Sequence, residues 1–140
     1  MNTLGKTNLQ IMESLNALFE YTTEGIIIAN QFGTIIRANP SSEKLFGYDQ
    51  GELINQKIEI LVPNKYAHSH EKHRDGFNKN PHSRSMGKGL DLYGKKKNGV
   101  EFPVEISLSH YKSDNEVFVI AFIIDRTERK ESEERIKRIN

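Results

Sequence analysis

Apolar positions change their period along the chain, and each change marks an element. Leu4, Ile11, Leu15, Leu18 and Phe19 recur at helical spacing, so residues 7–21 are predicted to form an amphipathic helix. Two β-rich runs follow, Gly25-Ile26-Ile27-Ile28-Ala29 and Thr34-Ile35-Ile36-Arg37-Ala38. The polar, Gly-ended turn Asn30-Gln31-Phe32-Gly33 joins them as a hairpin. Asn39-Pro40 then carries a cap residue followed by the residue best suited to a first helical turn. That helix points Leu45 and Phe46 inward and stops at Gly47, which tolerates a left-handed cap. Asp49-Gln50-Gly51-Glu52 has the pattern of a capping box, predicting a further short helix.

Beyond Ile58-Glu59-Ile60-Leu61-Val62-Pro63, residues 64–79 read as helical and end before Asn80-Pro81. Two long strands are predicted over roughly 86–95 and 100–111, joined through Lys97-Asn98-Gly99, where Asn-Gly offers the positive φ angles of a tight hairpin. In the second, Val100, Phe102, Val104, Ile106 and Leu108 alternate with polar residues, the mark of an antiparallel strand buried on one face. Ser113-Asp114-Asn115-Glu116 turns the chain into the apolar strand Val117 to Ile124. From Thr127 onward the pattern is charged: Glu131/Arg135, Glu133/Lys137 and Glu134/Arg138 are i,i+4 pairs in the favourable order. Only Ile136 and Ile139 are apolar there, so this helix is expected to bury little against its own domain and to continue into, or pair with, something else. Five antiparallel strands with helices on one side, flanked by N- and C-terminal helices, make an α+β domain.

Composition narrows the function classes. A length of 140 residues suits one domain. With 20 Lys and Arg against 19 Asp and Glu the net charge is +1, which supplies no field for steering toward nucleic acid or anionic lipid. Cysteine is absent, which removes disulfides, thiolate metal sites and cysteine nucleophiles together, and also a flavin photosensor of the cysteinyl-adduct kind. The apolar runs are too short to span a bilayer and the N-terminus lacks a signal-peptide pattern, so direct membrane contact is not expected and the chain reads as cytoplasmic.

The ordered segments Glu24-Gly25-Ile26-Ile27-Ile28, Ala38-Asn39-Pro40, Leu45-Phe46-Gly47-Tyr48, Glu52-Leu53-Ile54-Asn55-Gln56, Gly94 with Lys96-Lys97-Asn98-Gly99, Phe102-Pro103-Val104-Glu105-Ile106 and Asp125-Arg126-Thr127-Glu128 resemble the PAS domain family. The resemblance runs from about residue 14 to 130 and implies a division into an N-terminal helix or linker (1–22), a PAS domain (23–126) and the start of a C-terminal signalling helix (127–140). It implies a sensory and dimerisation module placed before an output such as a histidine kinase or cyclase, with a homodimer and a downstream output domain as partners. Asp125 and Thr127 would then sit at the signal-relay junction; read from the residues alone, they are a strand-terminal helix cap, and the two roles are compatible.

Four of the five histidines fall in residues 68–82, and Tyr66, His70, His73 and Phe77 share one helical stripe. The stretch is similar to the haem-bearing PAS domains of FixL-type oxygen sensors: Ile60-Leu61-Val62-Pro63 matches their motif, and His70 falls where their haem ligand lies. Gly87 and Gly89 match the glycines entering their next strand, but Leu90 stands where those sensors carry a ligand-sensing arginine, which implies an apolar distal side. Against the haem reading stands a structural or solvent-facing His70. A zinc site from His68, His70, His73 and Glu71 is disfavoured, because i and i+2 diverge on a helix. Lys95-Lys96-Lys97 reads as a solvated hairpin tip without aromatic neighbours for base stacking, and Glu101, Glu105 and Asp91 as ion-pairing groups on an outer face. No convergent set of titratable groups indicates an enzyme.

Overall fold

A computed structural model describes residues 3–66, 84–86 and 92–139, with side chains over 7–66 and 92–136. The elements are helix α1 (Thr3–Tyr21), strands β1 (Gly25–Asn30) and β2 (Ile35–Ala38), helix α2 (Pro40–Phe46), strands β3 (Arg84–Met86), β4 (Leu92–Lys95), β5 (Glu101–Ser113) and β6 (Glu116–Asp125), and helix α3 (Thr127–Ile139). Single 3₁₀ turns at Ile58–Leu61 and Asn64–Tyr66 follow α2.

One antiparallel sheet in the order β2-β1-β6-β5-β3 organises the chain, and β4 also pairs β5. β3 lies against Ile106 to Leu108 and β4 against Glu101 to Val104, so the two occupy one position end to end. The sheet therefore has five strand positions, and the single strand expected over 86–95 is two pieces. Register explains the alternation. Gly25, Ile27 and Ala29 pair with Ile123, Ala121 and Val119 on the inner face, while Ile26, Ile28 and Asn30 pair with Phe122, Ile120 and Phe118 on the outer one. The inner face carries the core: Ile27, Ile35, Phe46, Leu53, Leu61, Phe102, Val104 and Ile123. Phe46 of α2 meets Phe102 of β5 edge-on, with ring centroids 5.3 Å apart.

The predicted caps of α2 are realised. The Asn39 side chain accepts from the Ser42 N–H, Pro40 opens the helix, and Gly47 closes it at φ 79°. The helix expected from Asp49 is a run of turns instead, because Gly51 and Asn55 stand at φ 80° and 70°, outside the α region. Half of the capping box survives there, the Asp49 N–H donating to the Glu52 carboxylate at 2.6 Å.

The hairpin tips exchange the roles expected of them. At Asn98-Gly99 only Gly99 has a positive φ, and Val100, expected inside, lies in the loop and is 52% exposed. The two-residue turn with both central φ angles positive forms at Asp114-Asn115, between paired Ser113 and Glu116.

Candidate functional site

The junction of β6 with α3 is held by short-range polar contacts. Asp125 Oδ1 accepts from the Thr127 N–H at 2.8 Å and from the Thr127 hydroxyl at 2.6 Å, so one carboxylate oxygen fixes the corner from two sides. A cap of this kind contributes about 1 kcal/mol. Between them the Arg126 N–H donates to the Pro103 carbonyl of β5 at 2.9 Å, which ties the corner to the neighbouring strand. The Arg126 side chain is mostly buried, with Nε lacking a hydrogen-bond partner among the described residues, and its terminal nitrogen lies 3.6 Å from Glu133. Arg129 reaches the same carboxylate at 3.4 Å. Lys130 Nζ stands 5.3 Å from the centre of the Tyr93 ring on β4. Leu92, Pro103, Val104, Arg126, Lys130 and Glu133 thus line a shallow cleft between helix and sheet.

These contacts set the strength of the docking. Exposed ion pairs contribute roughly 0–1 kcal/mol, and a cation over an exposed ring about 0.5–1 kcal/mol. Residues 131–136 are exposed throughout, Ile136 at 58%. The helix is therefore attached through its first two turns and lacks apolar anchorage over its described side chains.

At the start of β1, which pairs with the end of β6, Asn39 joins three elements. Fully buried, it accepts from the Ile26 N–H at 2.8 Å and the Ser42 N–H at 3.0 Å, and its amide donates to the carbonyls of Phe19 and Glu24 at 2.9 and 3.0 Å. Ser41 adds a bond to the Thr22 carbonyl. The end of α1 is thereby fixed to β1 and α2, and Arg37 lies 4.0 Å from the Phe19 ring. Over its described side chains the rest of α1 is open: Leu9, Ile11, Met12, Leu15 and Leu18 are each more than half exposed.

The lysine tip expected to be merely solvated straps the domain. Lys97 donates from its backbone to the Phe46 carbonyl at 2.8 Å and from Nζ to Glu52 at 2.7 Å. Lys95 bonds Asn64, and Lys96 lies 5.2 Å from the Phe102 ring. The hydrogen bond to Lys97 holds the Glu52 carboxyl below the usual range, and Glu52 in turn raises the Lys97 ammonium. Burial pushes the nearby Tyr48 phenol up.

Of the residues singled out in the sequence, Asp125 and Thr127 meet directly. His70 and Leu90 lie outside the described residues, as do His68, His73, His82, Gly87, Gly89 and Asp91. Among the described residues no group of three or more His, Cys, Asp or Glu is placed to hold a metal, and no helix is long and apolar enough to cross a membrane. Arg126, Tyr93 and Lys130 were invisible to sequence reasoning, since nothing local predicts that α3 turns back onto β4.

A family model described as "PAS domain" matches residues 23–128. Among curated proteins the chain is similar to the sensor protein FixL of Bradyrhizobium diazoefficiens, 24% identical over 125 residues covering 89% of this chain and 25% of FixL. It is also similar to the oxygen sensor protein DosP of Escherichia coli, 26% identical over 106 residues, or 76% of this chain and 13% of DosP. The chain thus spans a quarter or less of these relatives. Among solved structures it matches the PAS domain of an HTR-like protein from Haloarcula marismortui with a TM-score of 0.70 at 22% identity, covering 89% of this chain and 99% of that one. The family model covers most of the chain and the fold is shared with that solved domain, so the chain belongs to the PAS domain family.

Proposed function

We propose that the chain is the sensory and dimerisation module of a larger signalling protein, such as the input domain of a sensor histidine kinase, and that it regulates without catalysing. In this reading 1–22 form the N-terminal helix or linker, 23–126 the sensory domain and 127–140 the start of the signalling helix, Asp125 and Thr127 being the relay. The observation that carries it is the corner itself. The last strand passes through a carboxylate that accepts two hydrogen bonds into a polar helix whose described side chains bury little. The open apolar stripe of α1 supports homodimerisation. A cytoplasmic setting fits the reading.

The test joins Asn140 in helical continuity to a histidine kinase core lacking its own sensor. Replacing Asp125→Ala should change autophosphorylation by about fivefold, the scale of a lost cap, whereas Lys112→Ala on the far hairpin should leave it unchanged. Equal output from both variants sinks the relay.

A haem-based reading through His70 draws on the relatives, one of which is named an oxygen sensor. His70 would supply a nitrogen ligand to the iron and Leu90 an apolar group in the ligand pocket. Purified protein supplied with haemin should then develop a sharp Soret band that His70→Ala abolishes. A colourless product under the same conditions rules haem out and leaves a ligand-free interaction module.

A further inference from the structure

We propose that β4 is a lever between the core and α3, and that Tyr93 and Lys130 form the clasp by which it holds the helix. The regulatory meaning of this clasp rests on reading α3 as the output helix; its existence does not. β4 is four residues long and its side chains alternate. On one side Leu92 packs on the core, and Gly94 lies against two rings: a Cβ at this position would stand 2.9 Å from Phe46 Cε1 and 3.1 Å from Phe102 Cε1. Tyr93 points the other way, opposite Pro103 in the register, and its ring faces the Lys130 ammonium. With no room for a methyl group between β4 and the two rings, a displacement of either ring toward the strand presses on it. A moving β4 then carries Tyr93 away from Lys130 and opens the cleft that Arg126 and Glu133 complete. Among the described residues the contacts of α3 with the sheet come from polar, partly exposed side chains, each contributing about 1 kcal/mol or less, so clasped and released arrangements differ little in free energy, as a switching element requires. Any event that shifts Phe46 or Phe102 is thereby read as release of α3.

Amide hydrogen exchange on the full 140-residue chain tests this, with β1 and β6 amides reporting global stability. Tyr93→Leu keeps an apolar side chain and removes the π face. It should speed exchange at Lys130 to Glu134 by about two- to fivefold, the scale of an exposed cation–π contact, with β1 and β6 unchanged. Lys130→Gln should speed exchange at least as much, and adding Tyr93→Leu to it should bring no further change. Gly94→Ala pushes on the rings and should also speed α3 exchange, but add nothing in the Tyr93→Leu background. Phe46→Leu, the milder core change, should alter α3 exchange should Gly94→Ala fail to fold. Unchanged α3 exchange in Tyr93→Leu overturns the clasp. Unchanged α3 exchange in folded Gly94→Ala, or in Phe46→Leu, overturns the lever. The experiment needs no output domain, so it can fail while the kinase fusion responds to Asp125→Ala, and the reverse result is equally readable.

Discussion

Asn39 illustrates how much one side chain can carry. From the sequence it is a cap before a proline. In the fold it is also the joint of α1, β1 and α2, with every polar atom of its amide bonded and no exposure. Truncation leaves buried partners unsatisfied, each costing about 1–3 kcal/mol, together with a lost cap. Asn39→Ala should therefore destabilise the domain by roughly 3 kcal/mol in urea unfolding. A loss no larger than that of an ordinary surface cap would contradict the joint. Glu52 and Lys97 make a second residue-level prediction. The Glu52 carboxyl is depressed, so its contribution is present above the unfolded-state pKa and lost as pH falls through the lower folded one. The Lys97 ammonium is raised, so its contribution is present below the unfolded-state pKa and lost as pH rises through the higher folded one. The strap should be intact across the neutral range and loosen at both extremes. Amide exchange at Lys97 followed against pH checks this, and Glu52→Gln should erase the acid limb. Both groups are exposed, so the effect should be local.

Among the elements, the two terminal helices stand apart from the rest because neither buries its face. For α1 the reason is positional: Asn39 and Ser41 grip its C-terminal end, and Ile11, Met12, Leu15 and Leu18 are left exposed along one face. If this stripe makes the dimer, Leu15→Glu should shift the sedimentation coefficient from dimer to monomer while leaving the far-UV spectrum of the sheet unchanged. A monomeric parent protein at the same concentration would refute that use of α1. For α3 the reason is chemical, since its surface offers charges and few apolar groups. The β4–β5 tip shows the converse: three lysines that look like solvent-facing punctuation become fasteners because the strands end beside α2 and the Asn64 turn.

For the molecule as a whole, periodicity went far because each side of an antiparallel sheet writes its own signal. The alternation at Phe102, Val104, Ile106 and Leu108, the Asn39-Pro40 start and the Gly47 stop are local physics, and they stand in the fold as read. The errors arose where a local rule met a non-local demand. Gly51 and Asn55 took positive φ and broke the helix promised by the capping box, Asn98-Gly99 gave up the tight turn to Asp114-Asn115, and Val100 fell into a loop. Family membership was legible because the ordered segments are spread over most of the chain, and the corner at Asp125 and Thr127 because a cap acts over two residues. The sequence by itself determined which residues could be strand, helix, cap and core, since these depend on spacing and side-chain chemistry within a few positions. Only the tertiary structure decided that Asn39 joins three elements, that Lys97 straps α2, and that Tyr93 meets Lys130. Those pairings depend on how a twisted sheet brings distant residues into reach, and no local pattern encodes that distance.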